Sequence, residues 1–240
     1  MTRVLTALLV LICTLAFVPP AFALTFAEVG DAGNLPATAQ VPEGVDPFEC
    51  PSQFDFCIRG TLSVGEGESL ADMYQISIAD PGMFSATTVD LPNLNTQLFP
   101  LDTQLFLFRN DGLGGGLGVY ANDDISRDVF QSTLPAGHPN SPIDPGTYYL
   151  VITSFDYDPV SANGLIFPGA SFGPVEGPTG LGGGSAITGY NESEFSLLGT
   201  YTIGLTGVHD VPVPEPATLL LLGSGVAGVA WATRNRHRRN

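Results

Sequence analysis

Residues 146–153, Gly146-Thr147-Tyr148-Tyr149-Leu150-Val151-Ile152-Thr153, form the stretch that decides the fold. Its β-branched and aromatic residues favour a strand, and the Pro145-Gly146 pair is typical of a turn before it. The stretch therefore predicts the clearest strand of the chain. Other strands of the body can be recognised by the same features.

Six further stretches of this kind lie on either side. In residues 72–78, Tyr74, Ile76 and Ile78 alternate with polar residues, as in a half-buried strand. Residues 103–108 are apolar on both faces, so we expect them at the centre of a sheet. The other predicted strands are residues 61–64, 83–90, 118–121 and 199–206, while residues 40–58 and 160–185 are predicted as loops. Since helical periodicity is missing from the body, the fold class is all-β, an antiparallel β-sandwich over residues 24–208.

The start of the chain has the pattern of a secretory signal peptide. Arg3 precedes an apolar run from Val4 to Val18, and Ala21 and Ala23 form a small-x-small cleavage site. The pattern predicts a signal peptide over residues 1–23 that is cut after Ala23. The mature protein then begins outside the cytoplasm.

The end of the chain has the pattern of a membrane anchor. A proline-rich linker, residues 209–216, precedes an uncharged apolar run, residues 217–233, and a tail with four arginines, residues 234–240. A bilayer core needs about 17–25 apolar residues in a helix, so the run predicts one short transmembrane helix. The arginines indicate a cytoplasmic tail and place the body outside. The alternative, a buried core helix, would show polar residues at intervals.

The body is strongly acidic. Between residues 24 and 216, three arginines stand against all 24 acidic residues, which gives a formal charge of −21, and the chain contains no lysine. Binding to nucleic acid is excluded, because phosphate contacts require clustered Lys and Arg. The acidity is compatible with a soluble, self-repelling surface or with binding of divalent cations.

Cys50 and Cys57 are the two cysteines of the body, because Cys13 lies within the predicted signal peptide. Six residues separate them, and an exported chain folds in an oxidising compartment. We therefore predict a Cys50–Cys57 disulfide. A metal site is a poor alternative, since no His or third Cys lies near them.

A group of carboxylates follows the predicted strand at residues 118–121. Asn122, Asp123, Asp124 and Asp128 lie within seven residues, and Asp102 is placed to face them from the start of the central strand. Calcium takes six to eight oxygen ligands from loops of this kind, so these residues are a candidate calcium site. The alternative is a turn in which Asx side chains cap their own backbone.

The end of the chain resembles the PEP-CTERM sorting signal of Gram-negative exported proteins. The resemblance covers residues 213–239 and rests on Pro214-Glu215-Pro216, the apolar helix and the basic tail in that order. It implies recognition by an exosortase, a membrane-embedded cysteine transpeptidase, and cleavage near Pro214-Glu215-Pro216. The alternative is that the prolines only keep the body off the membrane and start the helix.

A series of short motifs runs in order along the body. They are Gly30-Asp31-Ala32-Gly33, Gly60-Thr61-Leu62, Asp72-Met73-Tyr74, Asp102-Thr103-Gln104-Leu105, Asn110-Asp111-Gly112, Asn122-Asp123-Asp124, Leu134-Pro135-Ala136-Gly137, Pro145-Gly146-Thr147-Tyr148-Tyr149-Leu150 and Gly199-Thr200-Tyr201. Across most of residues 27–207 this series resembles the bacterial pre-peptidase C-terminal-like domains. The resemblance implies a jelly-roll-like sandwich, an accessory binding or secretion module without catalysis of its own. The insertion with Cys50 and Cys57 departs from the pattern.

The sequence offers no supported catalytic group. Residues 169–173 fit G-x-S-x-G, but flanking prolines prevent the helix that a nucleophile elbow needs, and His138 and His209 lie in proline-rich turns. We therefore expect a non-enzymatic protein that is exported as an inner-membrane-anchored precursor and then reaches the cell surface or a biofilm matrix. The alternative is an extracellular module that binds exopolysaccharide, calcium or both.

Overall fold

The computed structural model describes residues 23–43, 46–64, 69–89, 101–168, 174–191 and 197–208. These ranges form strands, turns and loops, as the sequence predicts. The predicted signal peptide up to Phe22 lies outside them, and so do the predicted linker, the predicted transmembrane helix and the predicted cytoplasmic tail. Within the described ranges, no helix has the length and apolar character needed to cross a membrane.

Twelve strands are present in the part of the chain that the structure describes. They are β1 (Leu24–Ala27), β2 (Phe56–Leu62), β3 (Ala71–Ile78), β4 (Ser85–Thr88), β5 (Thr103–Asn110), β6 (Gly116–Asn122), β7 (Thr133–Leu134), β8 (Gly146–Ser154), β9 (Pro159–Ser161), β10 (Gly164–Leu165), β11 (Ile187–Tyr190) and β12 (Gly199–Thr206).

The strands form three sheets. A five-stranded sheet has the order β1-β2-β12-β4-β7, and a four-stranded sheet has the order β3-β8-β5-β6. A small third sheet has the order β10-β9-β11. Strand β1 runs parallel to β2, whereas the other described strand pairs are antiparallel. The all-β sandwich is therefore confirmed, while the jelly-roll detail stays a prediction.

The stretch that decides the fold becomes β8, in the middle of the four-stranded sheet. It pairs with β3 on one side and with β5 on the other. Strand β5 pairs in turn with β6, and its residues Thr103–Phe108 are all buried. The central position predicted for residues 103–108 is confirmed.

Two apolar cores lie on opposite faces of the four-stranded sheet. Alternate residues of β5 and β8, such as Leu107 and Leu150, face the five-stranded sheet and form the larger core. The residues between them, such as Phe106 and Val151, face the other way and form a second core. Phe167 covers that second face, with its ring centroid 5.4 Å from that of Phe106. Strands β5 and β8 are therefore buried on both sides.

The structure corrects several predicted boundaries. The prediction of a loop at residues 160–185 is wrong in part, because β9 and β10 lie at its start. Ile166 and Phe167, which follow β10, and Ile187 of β11 cover the second core. The prediction of a loop up to residue 58 is also wrong at its end. Strand β2 begins at Phe56, because Phe56 and Ile58 reach the larger core while β12 and β1 pair with them.

The predicted disulfide is confirmed. Cys50 and Cys57 are bonded, both are buried, and Cys57 lies within β2. The bond holds the segment before β2 against the sheet, where the ring of Phe54 packs on Gly204. It therefore anchors a connection that has no described strand of its own between β1 and β2.

Replacing both cysteines, Cys50→Ala with Cys57→Ala, should lower the free energy of unfolding by about 2.5 kcal/mol, since the unfolded chain regains the entropy of a small loop. Urea titration of the full-length protein in detergent micelles measures the change. The wild type in reductant is the control and should lose a similar amount. Two free thiols in freshly purified wild type, found by intact mass, would contradict the bond.

Candidate functional site

Three aspartates meet at one edge of the four-stranded sheet. Asp102 immediately precedes β5, while Asp123 and Asp124 immediately follow β6. These strands are antiparallel neighbours, with Leu105 opposite Asn122, so the start of β5 and the end of β6 lie side by side. The pairing brings Asp102 to the other two across about twenty residues of chain, as the sequence analysis expected. We call these three residues the aspartate cluster.

The geometry of the aspartate cluster is that of a small cage of oxygens. One carboxylate oxygen from each of the three residues lies within 4.8 Å of the other two. Asp123 is 4% exposed and Asp124 is 2% exposed. The Oδ1 atoms of Asp102, Asp123 and Asp124 are buried and have no hydrogen-bond partner among the described residues. Burying unpaired carboxylate oxygens is unfavourable unless an opposite charge or a donor reaches them.

Burial and mutual repulsion change how the cluster titrates. Burial, followed by the charges of Asp124, Asp102, Asp158 and Glu176, raises the pKa of Asp123 to about 8. Burial and the charge of Asp124 raise the pKa of Asp102 to about 6, and burial raises the pKa of Asp124. The fold thus disfavours three negative charges here unless a cation is bound beside them. Oxygen-only donors of this kind suit a hard cation such as calcium.

The two other residues of the candidate site have different positions. The Asn122 Oδ1 accepts a hydrogen bond from the backbone N–H of Thr133 at 2.8 Å, and its Nδ2 donates to the Asp124 carbonyl oxygen at 3.1 Å. The side chain of Asn122 is therefore engaged in holding the backbone. Asp128 is exposed in the turn between Ser126 and Val129, and the structure does not bring it to the aspartate cluster.

Two acidic residues near the cluster were missed in the sequence analysis. Glu176 reaches this edge because its backbone pairs with Ala121, with N–H···O distances of 2.9 and 2.8 Å. Asp158 also acts on the charge of Asp123, and its own carboxylate accepts a hydrogen bond from Gln104 Nε2 at 3.0 Å. Each of them lies more than thirty residues from Asp123 in the sequence, and no local pattern predicts that it comes near the aspartate cluster.

A second group of buried polar side chains lies inside the sandwich. Tyr201 donates a hydrogen bond to Asp72 Oδ2 at 2.6 Å, and its hydroxyl lies 2.6 Å from that of Tyr74. All three residues are buried, and Asp72 Oδ1 has no partner in the described structure. Gly60 leaves room for this group, since a Cβ there would collide with the Tyr201 hydroxyl and with a Glu28 oxygen. We call Asp72, Tyr74 and Tyr201 the acid–tyrosine network.

The acid–tyrosine network shares its environment with two further carboxylates. Burial, then the charge of Glu28, raises the pKa of Asp72 to about 8, and Asp31 adds to this. Glu28 is satisfied by the backbone N–H groups of Ala32 and Thr61, at 2.8 and 2.9 Å. Asp72 is therefore largely protonated at neutral pH, which its place in an alternating strand pattern does not predict.

A shallow groove lies beside Glu28. Its volume is about 500 Å³, and it shares no residue with the aspartate cluster. Arg59 borders it and is held in place by the ring of Phe48, with the guanidinium carbon 4.4 Å from the ring centroid. The other lining residues are Ala27, Glu28, Gly30, Gly60, Thr61, Ser63 and Thr200.

Comparison with known proteins gives one finding for the end of the chain. Residues 212–236 match the PEP-CTERM protein-sorting motif. The chain carries a PEP-CTERM sorting motif. No curated protein matches the chain, and no solved structure does. The resemblance stated for residues 213–239 is thus confirmed, while the resemblance of the body to the pre-peptidase C-terminal-like domains stays a prediction.

The raised pKa of Asp72 makes stability depend on pH. Between about pH 4 and pH 8, folded Asp72 keeps a proton that the unfolded chain has released, so its contribution to stability falls as pH rises. Asp72→Asn keeps an acceptor for Tyr201 and carries no charge. The variant should therefore gain stability relative to wild type as pH rises across this window.

Urea titrations at several pH values measure this difference. Asp144→Asn, which changes an exposed aspartate, is the matched control and should follow the wild type. If the stability of Asp72→Asn runs parallel to that of wild type from pH 4 to pH 8, Asp72 does not hold the proton.

Proposed function

We propose that this chain is an exported, non-enzymatic protein of the cell surface or extracellular matrix, which an exosortase recognises and processes at its C-terminal signal. The observation that carries the proposal is the PEP-CTERM motif at residues 212–236, which supports exosortase-dependent sorting of an exported protein. Because proline restricts its own backbone and that of the residue before it, Pro214 and Pro216 predict an extended segment around Glu215, a form that a processing enzyme can bind.

The body has features that suit life outside the cell. The Cys50–Cys57 disulfide is of the kind that persists in oxidising compartments. The charge of −21 between residues 24 and 216 keeps a released body soluble and away from anionic membranes. His138 Nδ1 accepts a hydrogen bond from the backbone N–H of Asn140 at 3.1 Å, so that ring nitrogen serves a turn. The disulfide and the charge suit an extracellular location, and the engaged nitrogen of His138 makes that residue a poorer candidate for a catalytic base.

The sorting proposal predicts that Glu215→Ala leaves full-length precursor in the inner-membrane fraction of a host that contains an exosortase. The wild type should reach the surface without residues 234–240, because cleavage near the Pro-Glu-Pro motif removes them. Fractionation followed by intact mass measures both outcomes. Glu43→Ala, an exposed glutamate of the body, is the matched control and should be processed normally. Surface-recovered wild type that still carries Arg234–Asn240 would show an ordinary tail anchor.

A second candidate function is calcium binding at the aspartate cluster. The observation that favours it is the set of three buried Oδ1 atoms without partners, on Asp102, Asp123 and Asp124. Extracellular calcium modules bind with dissociation constants of about 10⁻⁴–10⁻³ M, a range suited to an exported protein. Binding of exopolysaccharide stays a prediction, which a glycan array with and without calcium tests.

If the aspartate cluster binds calcium, the thermal midpoint should rise with it. At a calcium concentration about a hundred times the dissociation constant, the gain is about 2.7 kcal/mol, or roughly 5–10 °C for a domain of this size. Asp123→Asn with Asp124→Asn should abolish the response. The double variant should also match or exceed wild type in chelator, because the repulsion between the carboxylates is gone.

Thermal scans with calcium and with chelator measure both effects. The matched control is Asp128→Asn with Asp144→Asn, which removes the same charge from two exposed aspartates and should keep the full calcium response. No shift of the wild-type midpoint at millimolar calcium would contradict the calcium proposal and leave the Asx turn.

A further inference from the structure

We propose that a divalent cation bound by the aspartate cluster stabilises a group of polar contacts between the two large sheets. We call these contacts the seam, and the cation with the aspartate cluster the clasp. The seam consists of Thr88 in β4, Thr103 in β5 and Ser132 just before β7. The inference rests on the proposed cation binding and states what that binding does: it couples the loop after β6 to the edge of the five-stranded sheet.

The first step is the connection from the cluster to β7. Asn122 is 2% exposed and bonds in both directions, with Nδ2 donating to the Asp124 carbonyl oxygen at 3.1 Å and Oδ1 accepting from the Thr133 N–H at 2.8 Å. Strand β7 has two residues and pairs with β4 at the edge of its sheet. Such a short edge strand depends on contacts from outside the ladder, and Asn122 provides one.

The second step is the connection from the cluster to the seam itself. Thr103 follows Asp102 directly, and its hydroxyl lies 3.1 Å from that of Thr88 and 2.9 Å from that of Ser132. The Ser132 N–H donates to Thr88 Oγ1 at 2.8 Å, and the Ser132 hydroxyl donates to the Thr103 carbonyl oxygen at 2.5 Å. All three residues are buried. The seam is thus a closed polar network between a strand of each large sheet.

The third step is the chain that joins cluster and seam. The segment from Asp123 to Ser132 leaves the cluster, makes an exposed turn between Ser126 and Val129, and returns with a backbone hydrogen bond from Ile125 N–H to the Gln131 carbonyl oxygen at 2.7 Å. Its first two residues belong to the cluster and its last to the seam. Fixing the cluster with a cation therefore restricts both ends of the segment.

Without a cation, the three carboxylates of the aspartate cluster are unfavourably placed beside one another. Three buried carboxylates within 4.8 Å then keep unpaired oxygens, and those that are ionised repel one another, so the site favours moving Asp102 away from Asp123 and Asp124. Because Asp102 is covalently joined to Thr103, and Asp124 is bonded to Asn122, that separation strains the contacts of the seam. A cation reverses the force by attracting all three carboxylates.

The clasp also links folding to export. Extracellular calcium modules bind with dissociation constants of about 10⁻⁴–10⁻³ M, weaker than the about 10⁻⁹–10⁻⁵ M of cytosolic calcium proteins, so a site in the extracellular range fills outside the cell. The sorting motif at residues 212–236 supports export of this chain. The clasp therefore closes once the exported body meets extracellular calcium.

Hydrogen exchange of the full-length protein in detergent micelles, with about 5 mM calcium or with chelator, tests the clasp, while calorimetry measures calcium binding separately. Calcium should slow exchange of the Ser132 and Thr133 amides at least about tenfold more than that of the β3–β8 amides. Asn122→Ala, read at the Ser132 amide, and Thr88→Val, read at the Thr133 amide, should bind calcium within about tenfold of wild type and lose most of this extra slowing, because neither removes the acceptor of the amide that is read. Neither residue belongs to the aspartate cluster.

Two variants make the result decisive. Thr206→Val, which removes a hydroxyl bonded to Ser85 and Met83 in the same sheet, is the matched control and should keep the extra slowing. Thr88→Val carries the test if Asn122→Ala does not fold. Calcium binding with equal slowing throughout the sandwich would overturn the clasp and leave the calcium site standing. Calorimetry without any binding would overturn both.

Discussion

Burial of β5 and β8 on both faces is the constraint on which the rest of the structure depends. A strand that presents apolar side chains on both faces needs a cover on each. The five-stranded sheet covers one face, with Ile58, Ile203 and Leu205 among its contributions. Ile166, Phe167 and Ile187 cover the other. The third sheet, small as it is, therefore completes the burial of the central strands.

The same double burial leaves two groups of carboxylates, the aspartate cluster and the acid–tyrosine network, in surroundings that disfavour their negative charge. Carboxylates at the ends or edges of such strands lose water and become costly as anions. The acid–tyrosine network meets the cost with a proton, since one oxygen of Asp72 accepts from Tyr201 and the carboxyl is largely neutral. The aspartate cluster has three carboxylates without a hydroxyl donor on their Oδ1 atoms, so a single proton shared between two of them still leaves the third unpaired. A divalent cation is the neutralising partner that matches such a set.

The strands that could be predicted from the sequence are those whose own residues show a strand pattern. Strand β12 begins and ends at Gly199 and Thr206 as the sequence indicates, and β8 extends the predicted stretch by one residue. Strands β9, β10 and β11 could not be found in this way. They have two to four residues each, and Pro159 and Gly164 within them are typical of turns. What makes them strands is the uncovered face of β5 and β8, which a local pattern cannot show.

The residues of the candidate site also divide into those that the sequence pattern predicts and those that only the fold reveals. Asp102 could be placed opposite Asp123 and Asp124, because antiparallel neighbours bring the start of one strand to the end of the next. Glu176 could not, because it arrives through a single bridge to Ala121 from a segment without a strand pattern. Asn122 has the right residue type for a ligand, but its amide is occupied by the backbone of Thr133 and Asp124. Only the fold distinguishes an available oxygen from one that is already bonded.

The contacts at the end of the sandwich matter for processing at the sorting motif. Strand β12 lies between β2 and β4 in the five-stranded sheet, and Val208, just after it, bridges to Ile78 of the opposite sheet. The last described strand is therefore held on both sides, and the chain is tied across the sandwich before the linker begins. Cleavage near Pro214-Glu215-Pro216 removes no residue of a described sheet. An enzyme that recognises the motif at residues 212–236 can thus release the body without disrupting a described strand, as a removable sorting signal requires.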